Sequence, residues 1–119
     1  MQYMNLLGAW KGSNNLDDFA KEFFAVAGAS EVEERESSNY VDGRYYRGKV
    51  GDIAFTVSLS DLAGNEDLPI WVQVKCDTTD VEALISAIDE MIRNRAVHVG
   101  FHFARMLNYG SQNELRIDY

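Results

Sequence analysis

Apolar residues recur along this chain with two different periods. Leu16, Phe19, Ala20, Phe23, Phe24 and Ala27 fall at i, i+3, i+4, i+7, i+8 and i+11, one stripe of a helix. Asn15 can cap its start, Asp17 and Asp18 suit the positive end of the helix dipole, and Gly28 supplies the stop. The spacing predicts a helix over 16–27. A second stripe, Val81, Leu84, Ile85, Ile88, Met91 and Ile92, follows the capping-box pattern Thr79-x-x-Glu82 and predicts a helix to about residue 95.

Period two marks the strands. Ile53, Phe55, Val57 and Leu59 alternate with Ala54, Thr56, Ser58 and Ser60. Gly51-Asp52 before them suits a type II′ turn. Such a turn sets Val50 opposite Ile53, Gly48 opposite Phe55 and Tyr46 opposite Val57 on the buried face, with Gly48 making room for the Phe55 ring. Tyr45, Arg47 and Lys49 then share the other face with Ala54, Thr56 and Ser58. Ile70, Val72, Val74 and Cys76 alternate with Trp71, Gln73 and Lys75, after the only proline, Pro69. Val97, Val99, Phe101 and Phe103 alternate with His98, Gly100 and His102, a further predicted strand. Residues 31–36 read as an edge strand and 115–119 as a short last one, while 61–68 read as a polar loop. Tight turns between strands imply antiparallel pairing, and the helical stripes need a sheet to pack on. The expectation is one α+β domain over 1–119, a mainly antiparallel sheet of about four to five strands packed with two amphipathic helices.

Composition adds limits. The chain has 119 residues, 46% hydrophobic and 25% charged, which fits a folded domain and not a disordered one. A lone cysteine, Cys76, cannot form an internal disulfide. The N-terminal stretch lacks a basic region, and its apolar residues are broken by Gln2, Asn5 and Gly8, so no secretory signal is expected. No apolar run approaches the roughly 20 residues a bilayer requires. The expected compartment is the cytoplasm, with no membrane partner. Net charge is −8, and residues 61–90 alone hold eight acidic residues against one basic. That charge repels phosphate backbones, so direct nucleic-acid binding is not expected, whereas a basic protein would be attracted.

Candidate chemistry is sparse. His98 and His102 on one strand would stand about 13 Å apart, too far to clamp one metal. Cys76 falls on an apolar strand face, the place of a small core residue rather than of a nucleophile. Asp61, Glu66 and Asp67 do not match the spacing of an EF-hand loop, and Gly64 alone makes no phosphate cradle. No carboxylate pair stands in an apolar setting that would tune it for acid–base work. The expectation is therefore a non-enzyme, with no catalytic residue, no metal and no cofactor. Two features stand out. The aromatic set Tyr40, Tyr45, Tyr46 and Trp71 contains residue types that anchor interfaces, unless helices cover both sheet faces and bury it. The acidic 61–90 segment can steer a basic partner.

The stretch Ser37-Ser38-Asn39-Tyr40-x-x-Gly43-x-Tyr45-Tyr46, followed by Val57 and by Asp67-Leu68-Pro69-Ile70-Trp71-Val72, resembles small bacterial proteins found among polymorphic-toxin immunity genes. In size and character the chain is similar to contact-dependent growth inhibition immunity proteins. The resemblance covers about the middle third of the chain and carries over no functional residue. It implies a cytoplasmic inhibitor that occludes the active site of a cognate toxin, many such toxins being nucleases with basic channels. The residues expected to meet that partner are Tyr45, Arg47, Asp61, Glu66, Asp67 and Trp71. The rival readings are a small-molecule or enzymatic domain, with a pocket between sheet and helices lined by Tyr46, Trp71 and His102, and a homodimer paired through the 115–119 edge.

Overall fold

Each strand runs antiparallel to its neighbours, although the chain visits them out of spatial order. A computed structural model describes residues 1–11, 13, 15–61 and 64–119. Its elements are β1 (Gln2–Trp10), α1 (Leu16–Ala27), β2 (Ser30–Glu36), β3 (Arg44–Val50), β4 (Ile53–Leu59), β5 (Ile70–Cys76), α2 (Val81–Met91), β6 (Phe101–Leu107) and β7 (Leu115–Asp118). Among the described residues seven strands form one sheet, ordered β2-β3-β4-β5-β1-β6-β7. The class is the expected α+β, with more strands than the four to five anticipated. Among the described residues no helix is long and apolar enough to cross a membrane.

The unforeseen strand is β1, inserted between β5 and β6. A strand buried on both faces does not alternate. Leu6 and Leu7 are both fully buried, one on each face of the sheet. Gly8, which looked like an interruption, lies where the Phe103 and Phe19 rings leave no space for a Cβ.

β1 and β2 point the same way, as do β5 and β6, so α1 and α2 are crossover connections. The crossovers leave strands of opposite sense and travel in opposite directions across the sheet. They therefore share one hand while laying both helices on one face. There Phe19, Phe23, Leu84 and Ile88 meet Leu6, Phe55, Val57, Val72 and Phe103 in the main core.

Local signals explain most boundaries. Asn15 Oδ1 accepts from the Asp18 amide, and Gly28 ends α1 at φ 73°. Gly51 takes φ 56°, Asp52 does not take a positive φ, and the strands beyond pair Val50 with Ile53, Gly48 with Phe55 and Tyr46 with Val57. The atoms nearest a Cβ at Gly48, however, belong to Phe24 of α1, at 2.9 Å, and Val32 of β2, at 3.1 Å, rather than to Phe55. The N-cap of α2 is Asp80 rather than Thr79, its Oδ1 accepting from the Ala83 amide at 3.0 Å. A carboxylate one residue later wins because an ionised acceptor also meets the helix dipole. α2 continues through a π turn (Ile92–Ala96) and a 3-10 turn (Val97–Val99) until Gly100, at φ 94°, ends it. Val97, His98 and Val99 are thus helical extension and not strand, and His98 shares no strand face with His102. The expected loop over 61–68 includes Leu62 and Ala63, which lie outside the described residues.

Candidate functional site

With α1 and α2 on one face, the other face of the sheet carries no α-helix among the described residues. Strand alternation and pairing arrange its side chains in three rows across the strands. The first joins Ser58, Trp71, Leu7 and Ala104, and alternation from Arg47 adds Tyr45 to it. The second joins Arg47, Thr56, Gln73, Asn5 and Met106. The third joins Lys49, Ala54, Lys75 and Tyr3.

Loops reach over the first row and build an aromatic stack. Tyr40, from the connection before β3, lies on Tyr45 with ring centres 4.4 Å apart and stands 6.3 Å from Trp71. Tyr109, from the β6–β7 connection, stacks on the far side of Trp71 at 5.2 Å and 13°. Trp71 Nε1 donates to Asn5 Oδ1 at 2.9 Å, which pins the indole and satisfies its donor. Tyr40, Tyr45, Trp71 and Tyr109 are each partly exposed. Burial, followed by the neighbouring Tyr45, pushes the Tyr40 phenol above its usual range. Burial also raises Tyr109, with the charges of Asp61 and Glu114 adding to it. Beneath this row a small second core forms from Leu7, Leu68, Ala104 and Met106. Ser58 is fully buried there, and its Oγ has no hydrogen-bond partner among the described residues.

The acidic loop borders the same face but is partly tied down. Arg116 forks onto Asp67, Nη1 to Oδ1 at 2.9 Å and Nη2 to Oδ2 at 2.8 Å, and its Nε reaches Asp118 at 2.7 Å. The guanidinium holds the Asp67 and Asp118 carboxyls below the usual range. His102 Nε2 meets Asp118 Oδ2 at 3.1 Å. Glu66 accepts from the Gly64 amide, and Asp61 stays exposed.

Tyr45, Arg47, Asp61, Glu66, Asp67 and Trp71 therefore lie on or beside one face. The acidic 61–90 segment does not form one patch. Asp61, Glu66 and Asp67 lie before β5 and the remaining acids after it, and a seven-residue strand separates them by about 20 Å. Tyr46, Trp71 and His102 are not brought together. Tyr46 turns to the helix side and donates to Asp17, while Trp71 and His102 sit on other strands of the uncovered face. Tyr109 and Arg116 were not legible as site residues, because both lie where the apolar period breaks down. Cys76 is buried on the helix side, in the main core. Among the described residues no group of three or more His, Cys, Asp or Glu side chains is placed to hold a metal ion.

Comparisons with protein-family models, with curated proteins and with solved structures return no match.

Proposed function

We propose that this chain is a protein-binding inhibitor that docks through its uncovered sheet face. The resemblance to immunity proteins makes the partner a cognate bacterial toxin domain, neutralised in the cytoplasm by occlusion of its active site. The observation that carries the reading is the partly exposed Tyr45–Tyr40–Trp71–Tyr109 stack on a rigid sheet. Rings already held by stacking and by the Trp71–Asn5 bond lose little freedom when a partner covers them. Large, flat, amphipathic side chains at the centre of a patch are the usual anchors of tight complexes. Charged groups around them, with Asp61 and Glu66 at one end and Arg47 and Lys49 at the other, supply a polar rim that selects orientation.

The test is co-expression with the domain encoded by the gene immediately upstream. That domain should arrest growth alone and not beside this chain, and the purified pair should form a stable complex. Growth arrest that this chain does not relieve, with no complex on mixing, overturns the proposal.

A further inference from the structure

An acidic chain has placed a group of cations on this same face. Along β4 the floor is made of small side chains, Ala54 and Thr56. Lys49 and Arg47 of β3 rise on one side of that floor, and Lys75 and Gln73 of β5 rise on the other. Tyr45 closes the trough toward the aromatic stack, and Tyr3 of β1 lies beyond Lys75. The trough holds about 630 Å³ and is open to solvent. Asp52 and Asp77 stand at its hairpin end and keep its overall charge moderate.

The cations are weakly matched by the protein itself. Arg47 Nε stands 3.7 Å from Glu33, and Lys49 Nζ stands 3.9 Å from Glu31, both at the limit of an ion pair and both exposed. Lys75 is exposed and makes no ion pair among the described residues. Lys49 and Lys75 belong to strands two apart, so their Cα atoms are separated by about 10 Å, with the Ala54 methyl between them. An extended segment lying along β4 would place a carboxylate within reach of both ammonium groups.

We infer that this trough binds an acidic segment of the partner protein, its carboxylates held by Arg47, Lys49 and Lys75. The inference rests on the proposed docking face and specifies the partner's chemistry. That surface is two-signed: a basic part faces Asp61 and Glu66, and an acidic part faces the trough. A long polyphosphate fits less well. Local cations act within about 8 Å at physiological salt, whereas an extended nucleic acid would also meet the negative remainder of the molecule. Short carboxylate chains avoid that repulsion.

The experiment titrates the isotope-labelled full chain with a capped hexaglutamate peptide and follows backbone amides by NMR. The expected result is saturable shifts at Lys49, Ala54, Thr56 and Lys75, weakened about tenfold by raising salt from about 50 to about 300 mM. The Lys49→Glu/Lys75→Glu variant should lose the shifts, and the milder Lys49→Gln/Lys75→Gln variant should weaken binding at least about threefold while keeping the wild-type spectrum elsewhere. No saturable shift, or stronger binding by an oligothymidylate of equal charge, overturns the inference. Its failure is separable from that of the parent reading. A toxin domain that binds wild type and both lysine variants equally well leaves the docking face standing and removes only the acidic segment.

Discussion

A methyl group added at Gly8 would stand 2.6 Å from the Phe103 ring and 3.1 Å from that of Phe19. Both rings are fully buried, so Gly8→Ala should destabilise the fold by about 1–3 kcal/mol, read from urea unfolding. Ser58 presents the opposite case. Its buried hydroxyl has no hydrogen-bond partner among the described residues, so Ser58→Ala should be neutral or stabilising by up to about 1 kcal/mol in the same assay. Tyr119 is lifted above the usual tyrosine range by burial and then by the bond it donates to Asp89. A raised folded pKa contributes stability that is complete below the unfolded value, about 10, and is lost as pH rises toward the folded one. Alkaline unfolding should therefore begin near pH 10, and Tyr119→Phe should flatten that limb. Unchanged alkaline unfolding in the variant would remove Tyr119 as its source.

Among the elements, those with one buried face were legible from their period. α1 and the β3–β4 hairpin emerged with their caps and register, because alternation and turn chemistry agree at each position. β1 was not legible, since Leu6 and Leu7 face opposite cores and Gly8 serves a close approach rather than a turn. Residues 97–99 were misread because alternation over three residues cannot distinguish a strand from the tight end of a helix. The cap of α2 offers a direct check. Asp80→Ala should cost about 1 kcal/mol through loss of the bond to the Ala83 amide, and Thr79→Ala should cost clearly less. Equal losses would restore Thr79 as the cap. For the site, strand alternation already grouped Tyr45 with Arg47. The contributions of Tyr40 and Tyr109 arise where loops fold back over the sheet, and that of Arg116 where β7 meets the loop before β5, which no local period encodes.

At the scale of the whole molecule, both crossovers deliver their helices to one side, and that leaves the other side of the sheet without an α-helix among the described residues. The sheet's own edges are poor alternatives. β2 is exposed along its length and carries Glu31, Glu33, Glu34, Arg35 and Glu36, charges that discourage strand addition. β7 is short. The central claim is that the uncovered face, and not the helical layer, meets the partner. Calorimetry with the purified domain proposed as the toxin partner tests it most directly, using Trp71→Ala, Thr56→Glu and, on α2, Glu90→Ala. Trp71→Ala and Thr56→Glu should each weaken binding by at least about thirtyfold, roughly 2 kcal/mol, while Glu90→Ala binds as wild type. Thr56→Glu adds bulk and a negative charge at a partly exposed position in the middle of the face, so its effect does not depend on removing a stacked ring. Wild-type affinity in both face variants, or a loss confined to Glu90→Ala, would contradict the account.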